Sequence, residues 1–220
     1  MASLVLEEAI ILAASEKWAI DNTIIDKPML GFGTYTLLDL QLKYLIDYGF
    51  KHIVIASDKR YDIHPHYLSK VEYSLESFPL GTGGAVLSAM EKIHSNVFYV
   101  MNVDDIVLGW NPQLIQFPEA EAKILVTKPK LAYGKVELKR EIVTNFKEKP
   151  ILDMYVSCGH YVFKRHIVNR YFPDIGNFED IALPILAKKR KLIAERLTGT
   201  WYTIDNVKTY QHVRDIIESL

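Results

Sequence analysis

The sequence is poor in several features that would each define a class of protein. Its 220 residues include one cysteine, Cys158, so neither an internal disulfide nor a zinc site built from cysteines can form. Lys and Arg number 26 against 27 Asp and Glu, which leaves no basic excess to attract a nucleic acid. No apolar run approaches the roughly 18 residues of a membrane span. We therefore expect no nucleic-acid partner and no membrane association.

We also expect no secretion signal, internal repeat or linker in this sequence. Its first eight residues contain no basic segment before the apolar stretch, which together with the single cysteine predicts a cytoplasmic protein. Hydrophobic residues make up 49% and charged residues 24%, the composition of a globular protein with a sizeable core. The length suits one α/β domain over residues 1–220.

In the first half, short apolar runs alternate with a helical pattern. Residues 8–14 and 52–56 are apolar runs without alternation, which is typical of central strands in a parallel sheet. Between them, apolar side chains recur at helical spacing over residues 38–46. A further helix over 83–94 and a strand over 97–101 extend the pattern. Strand, helix and strand in this order predict a parallel sheet.

The second half changes character. Two short alternating strands, 136–138 and 143–146, flank the charged turn 139–141 and predict a hairpin. The remaining predicted elements are a strand at 161–163, a helix at 178–187 and a last helix at 207–220, with Val213, Ile216, Ile217 and Leu220 on one face of that last helix. The sequence therefore predicts a fold that is parallel in its first half and mixed in its second.

The first candidate for ligand binding is the glycine-rich segment 79–85, which leads into a helix. Glycines let the backbone approach a ligand closely, and a helix N-terminus offers backbone N–H groups to a base or an anion. An ordinary glycine-rich turn is an equally good interpretation of this segment alone.

Two charged segments are the other candidates. Residues 102–105 follow a predicted strand, where a carboxylate can hold Mg²⁺ on a phosphate, although an aspartate that caps a turn is the simpler interpretation. In residues 146–150 a glutamate can accept sugar hydroxyls and a lysine can pair with a phosphate. By itself that segment is as easily a solvated run of charge. The histidines show no metal-ligand spacing.

Taken in chain order, these segments resemble the sugar-1-phosphate nucleotidylyltransferases, the enzymes that make nucleotide sugars. The matching segments are residues 9–14, 27–30, 76–85, 102–104, 133–137, 146–150, 159–163, 178–180 and 201–205. The resemblance implies an α/β, Rossmann-like three-layer nucleotidyltransferase fold with a mainly parallel central sheet and a mixed second half. It implies one domain over 1–220, without the C-terminal left-handed β-helix that many members carry.

The resemblance also implies a reaction and its partners. An oxygen of a sugar-1-phosphate would attack the α-phosphorus of a nucleoside triphosphate and release pyrophosphate, with Mg²⁺ as cofactor. Positioning and neutralisation of phosphate charge would supply most of the catalysis, as in phosphoryl transfer generally. The base and the sugar cannot be read from residue types. The oligomeric state stays open between a homodimer and a complex with a partner subunit.

Carried over residue by residue, the resemblance assigns roles to this chain. Lys27 would contact phosphate near the transferred nucleotidyl group, and Asp104 would bind Mg²⁺. The implied nucleotide contacts are Leu12, Ala13, Leu80, Gly81 and Gly84. The implied contacts to the sugar phosphate are Gly134, Glu148, Lys149 and Gly159.

Two departures from the family weaken the implied catalysis. The family has a Gly-x-Gly-Thr-Arg type loop for the triphosphate, whereas residues 15–22 here contain no glycine. Glu16 and Asp21 would place negative charge near a polyphosphate, and Lys17 is the one obvious cation left. Thr203 stands where the family has its second Mg²⁺ aspartate. Asp205, two residues on and therefore on the same face of a strand, is the candidate replacement.

Two functions follow from this pattern. The first is an enzyme in which Lys17 and Asp205 serve in place of the missing groups. The second is a catalytically weakened relative that binds a nucleotide or sugar nucleotide, or regulates a partner. The retained Lys27, Asp104 and Glu148 favour the enzyme, and the missing loop favours the relative. An assembly partner with no ligand is a third interpretation.

Overall fold

A computed structural model describes residues 5–14, 16–20, 22–114 and 120–219. The strands formed by these residues are β1 (Glu8–Leu12), β2 (Lys17–Ile20), β3 (Thr23–Asp26), β4 (Gly31–Phe32), β5 (Tyr35–Thr36), β6 (His52–Ser57), β7 (Val71–Leu75), β8 (Val97–Asn102), β9 (Asp105–Leu108), β10 (Ala122–Thr127), β11 (Lys135–Lys139), β12 (Ile142–Lys147), β13 (Val156–Lys164), β14 (Leu192–Arg196) and β15 (Thr200–Thr203). The helices are α1 (Leu37–Asp47), α2 (Gly81–Ala89), α3 (Arg165–Tyr171), α4 (Ala182–Lys188) and α5 (Val207–Glu218).

Seven strands form the main sheet in the order β14–β10–β13–β8–β1–β6–β7. Strand β13 runs antiparallel to both of its neighbours, and the other six strands share one direction. The predicted fold, parallel in its first half and mixed in its second, is therefore confirmed. Four two-stranded pairs surround the sheet: β2–β3, β4–β5, β9–β15 and β11–β12.

The sheet is buried on both faces, which explains why its central strands lack alternation. Side chains of β1 point to the two faces in turn, so that Ile11 packs on one face with α1 and α5. Ile10 packs on the other face with α2, α3 and α4. Helices on both faces are the usual way to cover a parallel sheet, and they produce the three layers expected from the sequence.

Local chemistry fixes both ends of helix α1. Thr36 and Asp39 form a capping box, in which each side chain satisfies the other residue's backbone N–H at the start of α1. Past the end of the helix, Gly49 has a φ of +90°, a left-handed conformation that glycine adopts without steric cost. The predicted end of this helix is confirmed.

Several predicted boundaries shift. The strand predicted at 161–163 extends over the nine residues of β13, and the helix predicted at 178–187 starts only at Ala182. The residues before it form a turn, in which the N–H of Phe178 donates to the Thr82 hydroxyl and the Phe178 carbonyl accepts the Ala182 N–H at 2.8 Å. Helix α2 ends at Ala89, short of the predicted residue 94. Leu220 lies outside the described residues. No helix of the described ranges is both long and apolar enough to cross a membrane.

Candidate functional site

A cavity of about 570 Å³ lies at the carboxyl ends of β1, β6 and β7. Ligands of open α/β sheets bind at this edge. The cavity is lined by Leu12, Ala13, Ala14, Ala56, Asp58, Glu76, Ser77, Phe78, Pro79, Gly81, Thr82, Ala85 and Asn177. It therefore contains Leu12, Ala13 and Gly81, three of the five residues that the sequence assigns to the nucleotide.

The other two, Leu80 and Gly84, are not among the lining residues, and the glycines of this segment have packing roles. Gly81 has a φ of +72°, and a Cβ there would lie 2.7 Å from the backbone of Gly176. A Cβ on Gly84 would lie 2.3 Å from the carbonyl oxygen of Asp174. Both glycines thus let α2 approach the loop before α4, while contact of Leu80 or Gly84 with a base stays a prediction.

The N-terminal N–H groups of α2 are not all available to a ligand, contrary to the sequence interpretation. The N–H of Thr82 donates to the Asn177 side chain at 3.2 Å, and that of Gly83 donates to the Gly176 carbonyl at 2.9 Å. These partners lie more than 90 residues away in the chain, so no local pattern could reveal them. The loop around Gly176 therefore caps the helix and forms one wall of the cavity.

Lys27 stands at the centre of a charged cluster next to the first strand. Its ammonium Nζ lies 2.5 Å from Glu16 Oε2 and 3.0 Å from Asp104 Oδ2. Trp18 lies 5.3 Å away, with its ring centroid facing the ammonium. Burial lowers the pKa of Lys27, but its two carboxylate partners outweigh this and raise the pKa above the ordinary value. The ammonium therefore stays charged.

The structure pairs Glu16 with Lys27 and turns Lys17 away from this cluster. Glu16 accepts hydrogen bonds from Lys27 and from the Trp18 indole at 2.9 Å, and these bonds lower the pKa of its carboxyl. Its carboxylate is thus paired with the Lys27 ammonium. Lys17 is exposed and alternates with the buried Trp18 along β2, so it points away from this cluster. Asp21 and Ser15 lie outside the described residues.

The turn that carries Asp104 is held from below by two buried polar side chains. Gln41 donates to the carbonyl oxygens of Val103 and Asp105, at 2.8 and 2.9 Å. His160 contacts the same Asp105 carbonyl at 3.0 Å and the Tyr99 hydroxyl at 2.6 Å. Burial lowers the pKa of His160 to about 4, so its ring is neutral. Sequence reasoning missed both supports, because Gln41 lies in no recognisable motif and the matched segment 159–163 does not reveal what His160 contacts.

Asp105 is buried directly behind Asp104. It accepts hydrogen bonds from Trp201 Nε1 at 2.8 Å and Asn102 Nδ2 at 3.0 Å. Burial raises the pKa of Asp105 to about 7, and the negative charge of Asp104 adds to the shift. A Cβ on Gly159 would lie 1.7 Å from the Asp105 carboxylate, so glycine is required there to make room for Asp105. Contact of Gly159 with a sugar stays a prediction.

Asp104 and Asp205 supply hard oxygen donors of the kind that Mg²⁺ prefers. Pairing of β9 with β15 sets Thr203 opposite Asp105, and the Ile204 N–H donates to the Asp104 carbonyl. The negative charge of Asp205 also contributes to the raised pKa of Asp105. Among the described residues, no group of three or more His, Cys, Asp or Glu side chains surrounds a metal position. Since Mg²⁺ on a nucleotide needs only one or two protein carboxylates, these residues fit it.

Three of the four implied sugar-phosphate residues, Gly134, Glu148 and Lys149, lie beside the exposed hairpin β11–β12, and Gly159 lies in β13. Glu148 and Lys149 follow β12 and are both exposed. A Cβ on Gly134 would lie 2.4 Å from the Phe146 ring and 3.1 Å from Glu148 Oε2. Gly134 therefore brings Glu148 close to the backbone at the start of β11. The predicted hairpin is confirmed, and the role of these residues in binding a sugar phosphate stays a prediction.

The fold and the site together define an α/β protein with a nucleotide-sized cavity. At the same edge of its parallel strands lies the charged cluster around Lys27 and Asp104. Residues 22–213 match the profile of the family described as nucleotidyl transferase. The chain belongs to the nucleotidyl transferase family. The matched range begins at residue 22 and therefore leaves out residues 15–21, most of the segment in which the glycine-rich loop is missing.

Curated relatives support the same family. Mannose-1-phosphate guanylyltransferase catalytic subunit beta of Drosophila pseudoobscura pseudoobscura is 30% identical over 203 residues, covering 84% of this chain and 54% of that protein. The subunit of the same description from Dictyostelium discoideum is 28% identical over 202 residues, covering 84% of this chain and 56% of that protein. The chain thus spans about half the length of the curated relatives it matches.

Solved structures support the fold. HddC from Yersinia pseudotuberculosis superposes with a TM-score of 0.71 at 22% identity, covering 96% of this chain and 99% of that chain. UDP-glucose pyrophosphorylase complexed with UDP-glucose gives 0.66 at 17% identity, covering 98% and 99%. The predicted Rossmann-like nucleotidyltransferase fold is therefore confirmed.

Proposed function

We propose that this chain transfers a guanylyl group from GTP to a sugar-1-phosphate of the mannose type, with release of pyrophosphate. The carrying observation is the juxtaposition of a nucleotide-sized cavity with the Lys27–Asp104 pair at the same edge of the sheet. Support for the substrate class comes from the relatives, which are named mannose-1-phosphate guanylyltransferases. The proposal includes a cytoplasmic location, in keeping with the lone buried cysteine.

The cavity offers a chemical reason to prefer guanine. Glu76 lines it, and one of its oxygens accepts the Leu80 N–H at 3.1 Å, which fixes the carboxylate beside the glycine-rich turn. A carboxylate only accepts hydrogen bonds, and guanine presents two adjacent donors, its N1–H and its amino group. Uracil and thymine present one donor between two carbonyl acceptors, which a carboxylate would repel.

In the proposed reaction, the residues of this chain bind and orient rather than form a covalent bond. Lys27 neutralises phosphate charge at the α-phosphorus, while Glu148 accepts sugar hydroxyls and Lys149 pairs with the sugar phosphate. Asp104 and Asp205 would hold Mg²⁺, which when bound neutralises charge on the triphosphate and orients it. An in-line attack by the sugar-phosphate oxygen then needs mainly correct placement.

The second candidate function is a nucleotide- or sugar-nucleotide-binding relative that is weak in catalysis or regulates a partner subunit. One observation favours it: in the segment that replaces the glycine-rich loop, the described residues contribute Glu16, directly before β2, and Trp18 within β2, and none of them is a glycine. The cavity and Glu76 would then serve binding alone.

The first experiment measures pyrophosphate release with Mg²⁺, GTP and mannose-1-phosphate, with the other nucleoside triphosphates and other sugar-1-phosphates as a panel. The Asp104→Asn variant runs alongside to detect a contaminating enzyme. We expect turnover by the parent chain, fastest with GTP, and a loss of at least about 100-fold in the variant.

Two results would overturn the proposal. Equal rates in parent and variant would assign the turnover to a contaminant. A folded parent that binds GTP but releases no pyrophosphate with any sugar-1-phosphate would favour the binding or regulatory function.

A further inference from the structure

The ammonium group that the proposed reaction needs for phosphate is already occupied by two anions. The side chain of Lys27 is 9% exposed, and its Nζ contacts both Glu16 and Asp104. The third side of the ammonium faces the Trp18 ring. An incoming phosphate therefore meets a lysine whose charge is compensated twice over.

Of the two carboxylates, Glu16 is the one that a ligand would displace. Its side chain is 58% exposed, whereas that of Asp104 is 25% exposed, so Glu16 covers Lys27 from the solvent side. The Trp18 indole and the Lys27 ammonium each bind one of its two oxygens, and its backbone carbonyl accepts the Lys27 N–H at 2.7 Å. The carboxylate is thus held in one place over the ammonium.

We infer that Glu16 is a positioning residue that competes with the triphosphate for Lys27 and so weakens triphosphate binding. The inference rests on the proposed function, because that function puts phosphate at Lys27. Glu16 holds the ammonium in place while the site is empty, and it must release Lys27 when phosphates arrive. Its negative charge opposes a polyphosphate in proportion to the charge that the ligand carries.

The test compares ligand binding by the parent chain and by the Glu16→Gln and Glu16→Ala variants, without sugar-1-phosphate so that no turnover occurs. Calorimetry is run with GTP plus Mg²⁺, with inorganic tripolyphosphate, and with guanosine. We expect both variants to bind GTP and tripolyphosphate at least about tenfold more tightly, and guanosine as the parent does. The control is Glu91→Gln, which removes the same charge from an exposed residue just past the opposite end of α2.

A second measurement uses the parent chain itself. Because Trp18 binds Glu16 and faces Lys27, tripolyphosphate should change its fluorescence, and the change should vanish in Trp18→Phe. A purely structural Glu16 would leave this emission unaltered. In turnover assays, Glu16→Gln should lower KM for GTP, whereas a damaged site would raise it.

The inference is overturned if both Glu16 variants bind GTP no more tightly than the parent, or if neither they nor the parent bind it. The inference is also overturned if the variants gain as much affinity for guanosine as for GTP, because the effect would then not depend on phosphate. If the variants gain triphosphate affinity while the parent shows no pyrophosphate release, the proposed reaction fails and the competition by Glu16 stands.

Discussion

Lys27 and Lys149 would each bind phosphate in the proposed reaction, yet the fold holds them in opposite ways. Lys27 is buried between Glu16 and Asp104 beside the first strand of the sheet. Lys149 is exposed at the end of a hairpin whose residues are all exposed. The triphosphate end of the site is therefore built in advance, while the sugar end leaves its charges in water.

The difference matters because a fixed charge and a solvated charge contribute to different steps. A group held rigidly in a poorly solvated position needs little reorganisation as the reaction proceeds, so it stabilises the transition state. A mobile, solvated lysine contributes a smaller amount that is realised mostly when the sugar phosphate binds. We therefore expect substitutions at the two ends to affect kcat and KM differently.

The largest effect is expected for Lys27→Met. Its loss leaves Asp104 and Glu16 without a counter-charge, so kcat/KM should fall at least about 100-fold. The free energy of unfolding should fall by about 1–2 kcal/mol. The loss is small because Glu16 and Asp104 are partly exposed, so that water screens their interaction with Lys27. Pyrophosphate release and urea denaturation measure the two quantities.

The control for this variant is Lys51→Met. Lys51 pairs with Glu7 in an exposed ion pair, so its removal should change the free energy of unfolding by less than about 0.5 kcal/mol. Equal losses of stability in the two variants would show that the ion pairs of Lys27 stabilise the fold no more than an exposed ion pair does.

A smaller effect is expected for Lys149→Gln at the sugar end. The KM for sugar-1-phosphate should rise about tenfold, because one charge-assisted contact to phosphate is lost. Both kcat and the stability of the fold should stay close to those of the parent, since the side chain is exposed. Lys139→Gln, at the turn of the same hairpin, is the matched control. A fall in kcat without a change in KM would place Lys149 in the rigid part of the site.

The same contrast explains which parts could be predicted from the sequence. The buried strands, the capped helix α1 and the hairpin β11–β12 each follow from a local pattern of apolar, capping or turn residues. The order of motifs indicated the family. These features depend on neighbours in the chain, and the sequence displays them directly.

What the sequence could not predict depends on contacts between distant residues. Asn177 binds the N-terminus of α2 across 95 residues, and Gln41 supports the Asp104 turn from α1. The sequence shows the charge of Glu16 but not its pairing with Lys27, because that pairing depends on the fold of the β2–β3 hairpin. Charges in a sequence can be counted, but their pairing is a property of the tertiary structure.

The smallest effect on turnover is expected for Asp105→Asn, which tests the support beneath the triphosphate end. Burial raises the pKa of Asp105 from 3.8 to about 7, so the folded protein keeps this proton between pH 4 and 7 while the unfolded chain loses it. The folded state then binds more protons, and this carboxyl makes stability fall as pH rises through that window. The asparagine variant lacks the titration.

Urea denaturation of both proteins at several pH values between 4 and 8 measures this difference. The parent should lose stability relative to Asp105→Asn as pH rises to about 7, by an amount on the order of 4 kcal/mol, since each unit of the pKa shift contributes about 1.4 kcal/mol, and the difference should then level off. Titration of His160 is common to both proteins and cancels in the comparison. Parallel stability profiles would mean that water reaches Asp105, and the triphosphate end would then be as solvated as the hairpin that carries Lys149.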